Sequence, residues 1–469
     1  MKAVSGVDGI FLHLETEQTP MHVAALHRFE LRPGQEQRFY AALKRQLQRR
    51  LELAPALARQ LAPQPLQFAN PVWIAATPDL DYHLQRQRLP PPGDQAQLED
   101  CAAQLHAQRL DRSRPLWRMT VIEGLPPGQV ALYCQIHHAM LDGQAGVQLT
   151  QTLFDKVARP RRSAAAAAAA TPIERRSEAP SKAELASAAL QHDAGQYLKL
   201  LRHLPELLRT LSDLAGGAPA KTGRRRAQGQ FFGPRTALNV PIDAERSFAG
   251  WSVPLATLRR LAEPHGATLN DMVLALCSGA LRRWLARHGG IPRQPLIATM
   301  PVSLREAGNT EFRTQATLTL VNLHSHVADP LRRLRAIRDA AGATKAMTQR
   351  AKGVLPTDFP SIGTPWLLQA LAALYGLPGL ASAIPPIANL VISNIPGPPQ
   401  PLYAAGARMR DYWPLTIVEH GVGLNITVIS YAGAMGFGIT SASRAMPDAR
   451  EFSGALQAAL DELLSLTPT

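Results

Sequence analysis

The sequence predicts an α/β chain of two domains, and three observations carry that prediction. Stretches of strand character alternate with amphipathic helical stretches in both halves. Between the halves the composition turns alanine-rich and basic, as linkers do. The 469 residues, 46% of them hydrophobic, are ample for more than one core. The division that follows is an N-terminal domain over residues 1–158, a linker over 159–235 and a C-terminal domain over 236–469.

In the first half, Met21 to Phe29 reads as a strand, and Phe39, Leu43, Leu47 and Leu51 mark a helix over Gln35–Leu53. A second amphipathic helix covers about Leu98–Leu110. Pro115-Leu116-Trp117 then leads into a strand over Arg118–Ile122. Packing at a strand start explains Pro115 and Trp117 without any ligand. The apolar, β-branched stretch from Val130 reads as a buried strand that ends at His137-His138. Helical residues resume from Gln144.

Ala164–Ala170 and the TPIERRSEAPSK that follows it have the composition of a mobile tether. A helix is expected over Ser181–Leu214, with Leu190, Tyr197, Leu201, Leu204 and Leu208 as its apolar members and Pro205 forcing a kink or a division into two. In the second half, Thr268 to Gly290 is a helix closed by two glycines. Asn270 and Asp271 stand in its first turn, where capping alone would account for them. Further strands are expected at Ile297–Val302, Leu318–Val327, Leu390–Ser393, Leu424–Tyr431 and Met435–Thr440, with a closing helix over Glu451–Leu466.

The chemistry concentrates in His137-His138-Ala139-Met140-Leu141-Asp142-Gly143. A histidine at a strand end exchanges protons near neutral pH, and a nearby aspartate holds the ring or the turn. Gly143 permits a tight turn or a close approach. Adjacent residues on an extended strand face opposite ways, so the two histidines do not share a metal, and no second cluster with ligand spacing supports one.

Three scattered cysteines give no disulfide framework and suit a reducing compartment. The N-terminus lacks the apolar core of a signal peptide, and no apolar stretch has transmembrane length. The net charge of +14 points to anionic partners. Residues 159–230 hold 13 basic and 6 acidic residues, half of that excess. Nucleic acid is not expected, because no zinc-finger spacing, RNP motif or basic heptad accompanies the charge. Between Asp358 and Arg408 there is no charged residue at all. Its first half, broken by Gly376, Pro378 and Pro385-Pro386, reads as buried core or as a lipid-facing or acyl-lining helical hairpin.

Taken in order, PLW at Pro115, HHAMLDG at His137, LND at Leu269, MPVSLR at Met300, ISNIPGPPQPLYAAGARM at Ile392 and GLNITVISYAGAMGFGI at Gly423 resemble the bacterial wax ester synthase/diacylglycerol acyltransferase family. The opening DGIFLHLETEQTPMHVAAL is similar too, so the likeness spans nearly everything but the linker. The resemblance implies two chloramphenicol-acetyltransferase-like domains, each a mixed sheet with flanking helices, and an active-site tunnel at their interface. It implies transfer from acyl-CoA to a long-chain alcohol or diacylglycerol, with no metal or redox cofactor because acyl-CoA is a substrate. Peripheral contact of a cytoplasmic protein with the inner membrane, or with lipid inclusions, is also implied. Within it, His138 is the general base, with Asp142 and His137 in support. Asn270 and Gly143 serve the oxyanion. Arg305, Ser303, Ser393, Asn394, Pro115 and Trp117 are candidates for substrate or CoA contact. A condensation-domain-like transferase acting on carrier-bound or amine substrates, or a non-catalytic lipid-surface protein, are the alternatives.

Overall fold

A computed structural model describes residues 2–158, 181–215, 232–303, 316–351, 362–375 and 386–466, the side chains of 199–215, 303, 316, 343–351 and 370–375 aside. The alanine tether, the arginine-rich stretch before Phe231, Arg305 and residues 376–385 of the uncharged stretch lie outside these residues.

Two six-stranded mixed sheets dominate, as the resemblance implied. The first runs β12 (Tyr403–Ala404), β13 (Ala407–Leu415), β2 (His22–Glu30), β7 (Gln129–His137), β6 (Trp117–Glu123), β5 (Leu84–Arg88). The second runs β10 (Ala316–Asn322), β9 (Ile297–Ser303), β11 (Leu390–Ile395), β14 (Leu424–Tyr431), β15 (Ala434–Ala442), β8 (Arg246–Pro254). A small third sheet joins β1 (Lys2–Ala3), β4 (Val72–Ala75) and β3 (Arg59–Ala62). β7 is central and buried along most of its length, which explains its near-continuous apolar stretch. It pairs antiparallel with β2, so that His137 lies opposite His22.

The first helices are α1 (Gly6–Leu14), α2 (Glu36–Arg50), α3 (Leu80–His83), α4 (Gln95–His106) and α5 (Gly143–Leu153). α2 buries Phe39, Leu43 and Leu47, the row its spacing marked. In the second half the helix Leu269–Arg287 lies deep in the core and packs on the closing helix Ala449–Leu466.

The second half does not keep to its own sheet. After β11 the chain passes through Gly397-Pro398-Pro399 and returns to the first sheet, where β13 pairs with β2 and Arg28 meets Asp411 at 2.7 Å. Tyr412, Ile429 and Tyr431 thereby enter the first core. Where β13 crosses β15 the backbones touch: a Cβ on Gly438 would stand 1.6 Å from the Pro414 carbonyl oxygen, so only glycine fits. The amphipathic helix Pro330–Ala351 was not legible from local spacing.

Among its described residues the linker contains one helix, Lys182–Ala215, that runs through Pro205 rather than dividing there. Its start packs on the small sheet, with Leu185 and Ala188 against Ala62, Val72 and Ile74, and Gln64 Nε2 donating to the Leu185 carbonyl at 2.9 Å. The buried row is Leu185, Ala189, Asp193 and Gln196, whereas Leu190 and Tyr197, expected inside, are 60% and 52% exposed. Contact with the small sheet, not apolarity, chose the buried face.

Candidate active site

β7 delivers His137 and His138 to a single 3-10 turn, His138–Met140, and the chain then enters α5. The Asp142 carboxylate accepts the Ala145 N–H at 2.9 Å and caps that helix. Three further bonds hold the turn. The His138 N–H donates to the Met21 carbonyl at 2.9 Å, and the Ala139 N–H donates to His137 Nδ1 at 3.1 Å. From the other side, Arg59 Nη2 donates to the Met140 carbonyl at 2.8 Å, its guanidinium lying over the Trp73 ring.

His137 points inward and is fully buried, as the strand alternation required. Because its Nδ1 accepts from Ala139, its proton sits on Nε2, facing the Glu15 carboxylate 3.5 Å away. That distance makes the contact electrostatic rather than a good hydrogen bond. Glu15 also accepts the Met21 N–H at 3.1 Å and Arg112 at 3.0 and 2.7 Å. Burial opposes ionisation of Glu15, but His137, Arg112 and the Met21 amide together hold its carboxyl at about 2. Burial lowers His137 below the ordinary histidine range, so the ring is neutral and Arg112 supplies the countercharge.

His138, unlike His137, keeps part of its surface open in this arrangement. Its ring stacks on Phe11 of α1 with centroids 4.0 Å apart. Burial brings it down to about 4, against the opposing pull of its own backbone and the Asp142 charge, so the imidazole is neutral near pH 7. The residue is half-buried; Nδ1 is shielded and bonds to no other described residue, which leaves Nε2 to meet a substrate. A neutral, fixed imidazole with one open nitrogen can take a hydroxyl proton.

The second half closes on the turn at Gly143. A Cβ there would lie 2.5 Å from Ile395 Cδ1, so the missing side chain lets the end of β11 approach the start of α5. Ser393 and Asn394 precede Ile395 within β11. Asn394 Nδ2 donates to Asn270 Oδ1 at 3.3 Å. Thr268 and Asp271 form the capping box of the Leu269–Arg287 helix by themselves, so capping does not explain Asn270. Its amide nitrogen lies 4.0 Å from Met300 Sδ, a contact weak enough to yield to a better acceptor.

Other candidates sit elsewhere. Pro115 is buried, and Trp117 is 1% exposed, stacked on His83, with its indole N–H donated to the Leu57 carbonyl at 2.9 Å. Both are core residues with no edge for a ligand. Ser303 ends β9 opposite Ala316, its side chain outside the described residues. Burial pushes Cys101 up to about 11 and raises Cys134 and Cys277 further, so none is a ready thiolate. Among the described residues no three His, Cys, Asp or Glu side chains gather as a metal site would need. No local pattern singles out Phe11, Glu15, Arg59 or Arg112, although the first two lie in the opening segment that carries the resemblance. The contacts that make them relevant join residues up to 127 positions apart.

Residues 4–273 match the catalytic domain of wax ester synthase/diacylglycerol acyltransferases, and residues 314–464 match the C-terminal domain of the same proteins. A protein of Mycobacterium tuberculosis that carries the name diacylglycerol O-acyltransferase is 35% identical over 470 residues, covering 98% of this chain and 99% of its own. The solved wax ester synthase/diacylglycerol acyltransferase of Marinobacter aquaeolei VT8 superposes with a TM-score of 0.69 at 28% identity, over 99% of this chain and 100% of that one. The first condensation domain of the calcium-dependent antibiotic synthetase superposes with a TM-score of 0.58 over 99% of this chain and 96% of that one. At 13% identity that likeness shows the fold alone.

Proposed function

The chain belongs to the wax ester synthase/diacylglycerol acyltransferase family, and from that premise we propose that it transfers a fatty acyl group from acyl-CoA to a long-chain alcohol or to diacylglycerol. The observation that carries this reading is His138, held neutral by burial, its open nitrogen on a turn against which β11 of the other half closes. The acceptor hydroxyl gives its proton to His138 Nε2 as its oxygen attacks the thioester carbonyl. The C–S bond then breaks, and the imidazolium returns the proton to the leaving CoA sulfur. The products are an ester and free CoA thiol. The raised cysteines favour direct transfer over an acyl-enzyme, and the route asks for no metal or redox group.

Asp142 holds the turn that carries the base. Asn270 Nδ2 serves the oxyanion once it leaves Met300, and Asn394 orients the Asn270 amide from its other end. Gly143 lets Ile395 close the site. Ser303, Arg305 and Ser393 contact CoA or acceptor in this reading, whereas Pro115 and Trp117 only pack the start of β6. No described helix is long and apolar enough to cross a membrane, and acceptors of this class partition into lipid, so the protein works peripherally at a lipid surface.

The test incubates purified protein with palmitoyl-CoA and either hexadecanol or diacylglycerol, following free thiol and extractable ester, with His138→Ala in parallel. Thiol matched by ester, and lost in the variant, is the expected result. Thiol without ester would mean hydrolysis. Turnover with amine acceptors alone would mean condensation chemistry instead.

A further inference from the structure

Accessible surface occurs where a closed sheet should have none. β2 and β7 are central strands of the first sheet, paired on both sides, and one of their faces shares a core with α5. On that face Leu132 is sealed, but Val23, Ala25 and Cys134 keep part of their surface. Register sets these residues in one line: Val23 pairs with Ile136, Ala25 with Cys134 and His27 with Leu132. His138 follows at the strand end on the same side, and Phe11, which stacks on it, packs on the same core. A central strand cannot meet bulk solvent through its own sheet or through the helix above it. The open surface therefore faces an internal slot that runs back from His138 beneath α5, where Gly143 and Gly146 are also partly open.

The far end of the slot is polar. His27 is 1% exposed and bonds to no described residue; its neighbours are the rings of Phe29, Phe154 and Tyr412. Burial holds it neutral, at about 3, so one ring nitrogen donates and the other accepts. Tyr412 pairs with His27 across β13 and β2 and meets it edge to face, with ring centroids 4.4 Å apart. The Thr150 hydroxyl donates to the Gly146 carbonyl at 2.9 Å, so the Tyr412 hydroxyl donates to Thr150 Oγ1, at a long 3.3 Å, and keeps its own lone pairs free. Buried polar groups are nearly always satisfied, so an imidazole and a phenol with spare capacity at the end of an apolar slot call for a partner from outside the protein.

Length and chemistry select the occupant. Leu132, level with His27, precedes His138 by six residues on β7, about 20 Å at the rise of a strand. That is the span of a long alkyl chain whose reacting head lies at His138. Val23, Ala25 and Cys134 give the chain a small, apolar wall on the way. A plain methyl end would leave His27 and Tyr412 buried with nothing to bond, whereas a hydroxyl or carbonyl oxygen would satisfy both. We propose that this slot takes an alkyl chain oxygenated at or near its far end, and that His27 and Tyr412 select that chain over the plain one. This rests on the reading of His138 as the acyl-transfer base and names a substrate class within it. Acyl-CoA and alcohol each bring a chain to His138, so the two sources are separated by experiment.

The experiment measures kcat/KM of the full chain for two pairs of substrates. Palmitoyl-CoA is set against 16-hydroxypalmitoyl-CoA with hexanol as acceptor, and hexadecanol against hexadecane-1,16-diol with octanoyl-CoA as donor. One pair should favour the hydroxylated chain about tenfold or more, chiefly through KM, and the pair that does so shows which substrate fills the slot. His27→Leu/Tyr412→Phe should abolish that preference or turn it toward the plain chain. Turnover of octanoyl-CoA with hexanol, both too short to reach the polar end, should stay unchanged and so show that the variant folds. Tyr412→Phe alone, which keeps the ring, should lose part of the preference and stands in if the double variant does not fold. Equal rates within both pairs, a wild type that favours the plain chain in both, or a variant that keeps the preference overturns the proposal and leaves the end of the slot to buried water. Calorimetric titration with the same four ligands needs no turnover. Absence of all acyl transfer would refute the catalytic reading, and the ratios of Kd would still decide whether the slot selects an oxygenated chain.

Discussion

Replacing Glu15 should injure catalysis without touching any group that meets substrate. Glu15→Ala removes the acceptor of the Met21 N–H and the partner of Arg112, and leaves His137 Nε2–H facing nothing. The imidazole of His137 is then free to change tautomer, and Nδ1 ceases to hold the Ala139 N–H. The turn bearing His138 loosens at its first residues. A displacement of about 1 Å at a reacting group costs about 10²-fold in rate, so kcat should fall about a hundredfold with KM for acyl-CoA nearly unchanged. Glu15→Gln keeps the shape and the Met21 contact but offers Arg112 no charge, and a loss of about tenfold is expected.

The stability share follows from the same carboxylate. A shift from 4.5 to about 2 corresponds to about 3 kcal/mol. Arg112 is 42% exposed and His137 is neutral, so about 1–2 kcal/mol is expected in practice. Since the folded-state value is depressed, this contribution is present above pH 4.5 and lost as pH falls toward 2. Steady-state kinetics with palmitoyl-CoA, beside urea unfolding at neutral pH, would read both effects. A Glu15→Ala protein with wild-type kcat and lowered stability would refute the positioning argument and leave Glu15 a structural brace.

Further outcomes follow from the site. Asn270→Ala should lower kcat about 10²–10³-fold at unchanged thermal stability, while Thr268→Ala should cost about 1 kcal/mol by unfolding and leave kcat alone. The reverse pattern would return Asn270 to a packing role. Gly143→Ala drives a Cβ against Ile395 Cδ1, the movable end of a side chain, so a cost of about 1 kcal/mol and a several-fold rate loss are expected. Adding Ile395→Val should restore much of both, and failure of that rescue would place the strain elsewhere. Burial brings His22 and His27 to about 3 and His138 to about 4. The unfolded chain therefore binds more protons below pH 6.5, and stability should fall by up to about 1.4 kcal/mol per pH unit for each such histidine as pH drops from 6.5 toward those values. Denaturant midpoints flat between pH 6.5 and 4.5 would contradict this burial. In the same window kcat/KM should stay level until pH nears 4, where His138 protonates, and an acid limb near 6.5 would show the ring solvated in the working enzyme.

Local pattern determined a good deal of this protein. The buried strand that ends at His137, the helix row Phe39, Leu43 and Leu47, and the helix that opens at Leu269 each follow from periodicity, because side-chain direction repeats every two or 3.6 residues. The opposite facing of His137 and His138 followed from the same rule. Tertiary structure alone decided what those residues meet. Pairing of β13 with β2 across the crossover, the contact of Gly143 with Ile395, and the choice of Leu185 and Ala189 over Leu190 and Tyr197 as the buried row depend on partners distant in the chain. The Arg112, Glu15 and His137 relay is of the same kind. No periodicity records it, because an ion pair imposes no spacing on its members and forms only after the strands have been brought into register.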